Sequence, residues 1–249
     1  NSGIKPVKVN TELFNLISRS IKVSNLSQGA FDISYASLDK VWFFDKKMQK
    51  IPSDDQIANS VAKVGFENIV LNEKEETVFL KLRGMKIGFG AIGKGYAADR
   101  AKEILIKNNV KSGIINASGD LTAWGQKPSG EDWMVAIVNP LNRTKVFSWL
   151  PIKNKSIVTS GNYERFINFD GKSYSHIIDP RTGYPCQGIL SVTIITENAE
   201  LADALATSVF VLGEEIGMNM INQLKGVDCI IINSDNKIIK SKNIKINEI

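Results

Sequence analysis

Gly88-Phe89-Gly90-Ala91-Ile92-Gly93-Lys94-Gly95-Tyr96-Ala97-Ala98-Asp99-Arg100 sets four glycines in its first eight residues, places one lysine among them and then takes up a helical pattern. Glycines at this density let the backbone approach a ligand and turn its N–H groups inward, and a helix beginning near Tyr96 adds its positive N-terminal end. That arrangement suits a phosphate. Gly88 to Lys94 spells GxxxxGK, but Gly95 stands where a Walker loop needs Ser or Thr to hold Mg²⁺, which disfavours a P-loop nucleotidase. The same residues also read as an ordinary strand-to-helix turn with an exposed lysine, and the stretch alone leaves both readings open.

Upstream, Asn68–Leu71 and Thr77–Leu82 read as strands joined by a charged turn, with Met85–Phe89 as a third strand feeding the glycines. Downstream, Ala97, Ala101, Ile104 and Leu105 share one face of a helix running to about Asn108, and Ile114-Ile115-Asn116 begins another strand. Ser118-Gly119-Asp120 closes that strand with a small-residue turn, able to approach a ligand but equally an ordinary Asp-containing turn. Nearer the N-terminus, Leu13, Phe14, Ile17 and Ile21 predict a helix from Thr11 to about Val23, and the loop Gly29-Ala30-Phe31-Asp32 follows. Ser53 and Gln56 form a capping-box pattern ahead of Ile57, Val61 and Val64, while Val41-Trp42-Phe43-Phe44 is an aromatic cluster of core type.

The second half is strand-rich. Strands are expected at Trp133–Val138, Val146–Pro151, Ser156–Thr159, Glu164–Phe169, Tyr174–Ile178, Leu190–Thr196 and Cys229–Asn233, the last paired with Lys237–Ile239. Asp170-Gly171 and Asp235-Asn236 supply hairpin turns. With no fixed-period repeat and no Pro/Gly/Ser linker, residues 1–249 are read as a single α+β domain with a mixed, mainly antiparallel sheet and packed helices.

At 249 residues, 43% hydrophobic and 23% charged, the chain can bury a substantial core. A net charge of +5 comes from dispersed Lys and Arg without a basic cluster interleaved with aromatics, so no nucleic-acid partner is indicated. Cys186 and Cys229 have neither CxxC nor Cys/His spacing and are expected to be packed thiols. Asn1-Ser2-Gly3 carries neither an initiator Met nor a signal peptide, and the expectation is a chain that begins inside a longer precursor.

Two residues stand out chemically. His176, the only histidine, closes a strand in Ser175-His176-Ile177-Ile178-Asp179-Pro180-Arg181-Thr182-Gly183, where an imidazole meets a carboxylate and a guanidinium. Asp203 sits on Glu200–Leu212, a helix apolar around nearly its whole circumference, with Thr207 one turn later. Such a carboxylate either holds a hard cation such as Mg²⁺ with the Thr oxygen and backbone carbonyls, or closes a packing defect with a hydrogen bond.

Together these residues resemble the ApbE family, the FAD:protein FMN transferases. The resemblance runs from about Val9 to about Asn233 through Gly29–Asp32, Gly90–Asp99, Asn116-Ala117-Ser118-Gly119-Asp120, Thr159-Ser160-Gly161-Asn162-Tyr163-Glu164-Arg165, Ser175–Gly183 and Ala202–Thr207, in family order. It implies that Ala30, Phe31 and Asp32 line an FAD site, that Lys94 and the Ile178 backbone contact FAD, and that the Ala91 carbonyl, Asp203 and Thr207 hold Mg²⁺. His176 matches the histidine implicated in transfer, and a carboxylate, Asp179 or Asp120, is the alternative acceptor of the hydroxyl proton. Two positions depart from the family pattern: Gly88 stands where Asp is frequent, and Ser118 where Gly is common.

The resemblance further implies an N-terminal segment that precedes Val9 in other members and carries flavin contacts, and a periplasmic or inner-membrane, lipid-anchored location in a bacterium. The activity it implies is Mg²⁺-dependent transfer of FMN from FAD to a Thr or Ser hydroxyl of an acceptor flavoprotein, releasing AMP. Hydrolysis of FAD to FMN and AMP, and non-catalytic FAD binding, are the alternatives.

Overall fold

Asn10 opens the first helix by accepting a hydrogen bond from Leu13 N at 2.8 Å, and α1 (Thr11–Leu26) buries Phe14, Leu16, Ile17 and Val23. In this computed structural model, which describes residues 1–44, 50–139, 142–161, 166–169, 172–242 and 244, α1 continues past Val23. Its buried face carries polar residues that bond back to the helix itself. The hydroxyls of Ser20, Ser24 and Ser27 donate to the carbonyls of Leu16, Ser20 and Val23 at 2.8, 3.1 and 2.9 Å.

The chain divides into two compact units, Asn1–Phe89 with Arg165–Gln187 and Gly90–Glu164 with Gly188–Ile249. The first holds β1 (Val7–Lys8), α1, α2 (Asp54–Ser60), β2 (Ile69–Asn72) and β3 (Thr77–Leu80), then, where the chain returns, β9 (Phe166–Phe169) and β10 (Lys172–Ser175). The second holds α3 (Gly93–Lys107), β4 (Gly113–Ala117), β5 (Asp120–Trp124), β6 (Trp133–Asn139), β7 (Asn142–Ile152), β8 (Ser156–Gly161), β11 (Ile189–Thr196), α4 (Ala199–Leu212), α5 (Glu214–Ile221), β12 (Asp228–Asn233) and β13 (Ile238–Lys240). Every strand pairing among the described residues is antiparallel, which bears out the α+β class.

In the first unit the capping box of α2 is complete, but the helix closes at Ser60. Beyond it Ala62 and Val64 bond only three residues back, to Asn59 and Val61, so Val61 and Val64 fall in turns instead of extending a helical stripe. Met85–Phe89 is not a strand. Ser37 Oγ exchanges 2.8 Å hydrogen bonds with Lys86 N and O, and Gly88 N donates to Ile33 O, so the segment lies along the 3₁₀ turn Ile33–Ser37. The third strand of that sheet is β1, in the order β1-β3-β2. The aromatic cluster is split: Trp42 is buried, its indole N–H 2.9 Å from Gly183 O and its ring stacked on Tyr174, whereas Phe43 is exposed beneath the Lys40 ammonium. The Asp170-Gly171 turn and Glu164, the expected start of one strand, lie outside the described residues.

The second unit is organised on a six-stranded sheet, β13-β12-β11-β8-β5-β4. Alternation along the strands sends Ile157, Ile195 and Ile230 to one face, where Val135, Ile137, Leu150 and Ile152 of the β6–β7 hairpin cover them. The buried helix α4 packs against β8 and β11, supplying Leu205, Val209 and Phe210 to the core. The expected Lys237–Ile239 strand is confirmed one residue along, turning through Asn236 at φ 63°. Among the described residues no helix is long and apolar enough to cross a membrane.

Candidate functional site

The glycine stretch straddles the two units: Gly88 and Phe89 belong to the first, and Gly90 onward belongs to the second. Helix α3 begins at Gly93, not near Tyr96, so Lys94 and Gly95 form its first turn instead of a loop ahead of it. Of the apolar face expected at Ala97, Ala101, Ile104 and Leu105, Ala101 is half-buried and the other three are exposed, and the packed face is the small-residue one, Gly95 and Ala98. The reason is a close helix crossing. A Cβ placed on Gly95 would stand 2.1 Å from the carbonyl oxygen of Ala199, the first residue of α4, so only glycine lets the two backbones approach this closely.

Two side-chain bonds lock that crossing. Asn198, at the N-cap of α4, makes no side-chain cap, and the capping oxygen comes from α3, where Asp99 Oδ2 accepts from Glu200 N at 2.9 Å. Burial pushes the Asp99 carboxyl up, against the amides of Glu200 and Ala199 that pull it down. In return Gly95 N donates to Asp203 Oδ2 at 3.2 Å. Asp203 is 2% exposed, as the apolar surround of its helix predicts.

The third participant arrives on a hairpin. Asp120 opens β5 after the turn Ser118-Gly119, whose φ angles of 57° and 101° are both left-handed and whose Gly119 N is held by Asn116 Oδ1 at 2.8 Å. Its carboxylate is 1% exposed and takes both available bonds from Lys94 Nζ, at 2.7 and 2.8 Å. The same ammonium lies 3.5 Å from Asp203 Oδ1. Two buried carboxylates therefore share one lysine. Desolvation first, and the charge of Asp203 second, raise the Asp120 carboxyl to about 7, while Lys94 pulls it down. For Lys94, burial works against the charged form, but Asp203 and Asp120 outweigh it and raise the ammonium above its ordinary value.

This donor set fits a hard divalent cation. One ammonium against two carboxylates leaves a net negative charge out of water, which a cation would neutralise. Thr207, half-buried, lies one turn beyond Asp203 on α4, and Ala91 lies just ahead of α3. Among the described residues no three of His, Cys, Asp and Glu gather into a metal-binding group, so neutral oxygens would complete the coordination.

In the first unit Ala30, Phe31 and Asp32 are all buried. Both Asp32 oxygens are engaged, accepting from Ser34 N at 2.7 Å and Phe66 N at 2.8 Å, so the side chain holds the loop together. His176 is half-buried at the bend just after β10, because that strand ends at Ser175 and not at Ile178. Ile178 bridges Pro185, and Asp179 O accepts from Gly183 N at 2.8 Å, closing a tight turn. Asp179 forms a double ion pair with Arg181 at 2.9 and 2.7 Å, which commits its carboxylate. Burial pushes the Cys186 thiol up to about 12 and raises Cys229 as well, consistent with packed thiols. Asn162, Tyr163, Glu164 and Arg165 lie outside the described residues.

Sequence reasoning found Lys94 and Asp203 but not what joins them. The sequence places Asp120 in a ligand-approaching turn and among the alternative bases, but nothing in the spacing announces its pairing with a lysine on another element. Asp99 was detectable in principle: an Asp on the same helical face as Gly95 and Ala98 marks a polar group at a close helix crossing.

The ApbE family model matches residues 1–231. The FAD:protein FMN transferase of Klebsiella pneumoniae strain 342 is 33% identical over 242 residues, covering 96% of this chain and 75% of that protein. The crystal structure of the ApbE protein of Thermotoga maritima superposes with a TM-score of 0.87 at 33% identity, covering 96% of this chain and 78% of that one. The flavin transferase ApbE of Vibrio cholerae gives a TM-score of 0.85 at 26% identity, over 97% of this chain and 78% of that one.

Proposed function

The chain belongs to the ApbE family, and we propose that it is an FAD:protein FMN transferase that moves FMN from FAD to a Thr or Ser hydroxyl of an acceptor flavoprotein. The observation that carries this reading is a match to a protein of that name across 96% of the chain, with the fold kept over the same span in a solved member of the family.

In this reading the acceptor hydroxyl attacks the FMN-side phosphorus of FAD. The bond from that phosphorus to the bridging oxygen breaks, and AMP leaves with that oxygen. The hydroxyl proton passes to His176, the sole histidine. Lys94 orients the pyrophosphate oxygens; Asp203, Thr207 and the Ala91 carbonyl are the residues that would hold Mg²⁺, and the chemistry it would supply when bound is charge neutralisation at phosphate. Asp120 supports Lys94 from below, through two short charged hydrogen bonds. The backbone of the Gly29–Asp32 loop, held by the Asp32 carboxylate, and the backbone at Ile178 serve the flavin.

Incubation with FAD and Mg²⁺, with and without a flavoprotein acceptor, tests the reading by AMP release. Transfer requires AMP that depends on the acceptor; AMP released equally without it would point to hydrolysis, and bound FAD with no AMP to a binding protein. The location belongs to the same proposal: we place the protein in the periplasm or at the inner membrane, peripherally attached through a lipid anchor, and cell fractionation checks it.

A further inference from the structure

We propose that the Lys94 ammonium is a built-in counter-ion that competes with the divalent cation for Asp203, so that metal binding is held back until a phosphate-bearing ligand gives the lysine another partner. The inference rests on the metal reading of Asp203 given above and concerns how that site is regulated.

The geometry that points to it is the shared lysine. Lys94 Nζ is 2.7 Å from Asp120 Oδ1 and 3.5 Å from Asp203 Oδ1, while the two carboxylates are 1% and 2% exposed. No water shell separates these charges. A cation approaching Asp203 therefore meets a positive charge already within a few ångströms of its ligand, and the two repel. Lys94 itself is 44% exposed along its side chain, which leaves its ammonium able to turn toward a ligand. Asp120 has no such freedom: it is pinned at the start of β5 by the hairpin, and it anchors the lysine.

Asp203 is held from its other side. Gly95 N donates to its Oδ2, fixing the carboxylate so that Oδ1 faces the lysine. The charge on Asp203 is thus fully engaged before any ligand arrives. An anionic pyrophosphate that draws the ammonium away frees that charge for a divalent cation. By linkage, the cation then favours the anionic ligand by the same factor.

The test is Mg²⁺ titration by calorimetry on the ligand-free full chain, at about pH 8, well above the ordinary carboxylate range. Removing the lysine's charge with Lys94→Met is expected to tighten Mg²⁺ binding by at least about tenfold, the opposite of what a lost binding residue does. The sign holds whether or not the freed Asp120 takes up a proton, because the positive charge nearest Asp203 is gone in both cases. Asp120→Asn is expected to weaken Mg²⁺ binding, since the lysine's charge then falls on Asp203 alone, and Asp203→Asn to abolish it.

Melting by circular dichroism establishes that each variant folds, and Lys94→Gln replaces Lys94→Met if the latter does not. If the wild-type chain binds Mg²⁺ through Asp203 but both lysine variants bind it equally or more weakly, the competition is refuted and the metal reading stands. If neither the wild-type chain nor the lysine variants bind Mg²⁺ in a way that Asp203→Asn removes, the metal reading falls and the competition falls with it.

Discussion

Asp120 binds its proton more tightly in the folded protein than in the unfolded chain, because burial and the neighbouring Asp203 raise its carboxyl from 3.8 to about 7. Between those values the folded state carries more protons, so this group's contribution to stability falls as pH rises through the interval. Metal-free protein should therefore lose stability in urea from about pH 4 to pH 7 through this group, and Asp120→Asn should flatten the decline. An unchanged profile would mean that the Lys94 ion pair already cancels the burial. For His176 the expectation is kinetic: His176→Ala should slow flavin transfer by about 100-fold to 10,000-fold with little change in FAD affinity. Collapsed FAD affinity with normal turnover of bound FAD would make the histidine a binding or structural residue. At this scale the sequence was legible where one residue contradicts its surroundings. Asp203 on an apolar helix and a single histidine in a polar loop both qualify. The pairing of Asp120 with Lys94 was not legible, because the lysine lies 26 residues earlier on a different element.

The crossing of α3 and α4 is the element on which the site depends. It brings the Gly95 and Ala199 backbones together, and each helix bonds to the start or flank of the other. Gly95→Ala should force the helices apart and cost about 1 to 3 kcal/mol in denaturant unfolding, the usual penalty of overpacking. It should also weaken Mg²⁺ binding, since Asp203 loses its backbone partner. A variant with unchanged stability would mean that the crossing relaxes freely and does not hold the site. Most elements were readable from periodicity and caps: α1, the α2 capping box, α4 and the long strands of the second half. The misreadings share one cause. Met85–Phe89 has strand-like composition but finds its hydrogen bonds on a 3₁₀ turn, and the apolar side of α3 is left exposed while its glycine and alanine side is packed. Propensity sets what a segment prefers, and tertiary contact decides which face is used.

Across the whole chain, the α+β class followed from the mixture of helical and strand patterns, and the family from six motifs in order. What composition did not reveal was the division into two units, because the boundary falls within the glycine stretch at Phe89 and Gly90, where no linker signal exists. The second unit holds a lysine clamped between two buried carboxylates, and the first holds a histidine and two tightly hydrogen-bonded loops. FMN transfer would be seen without ambiguity in the intact mass of a flavoprotein acceptor after incubation with this protein, FAD and Mg²⁺. The account predicts a mass increase of one FMN phosphoester, lost when the acceptor hydroxyl is removed or when Asp203→Asn replaces the wild-type chain. An acceptor whose mass stays unchanged while FAD is consumed would contradict it.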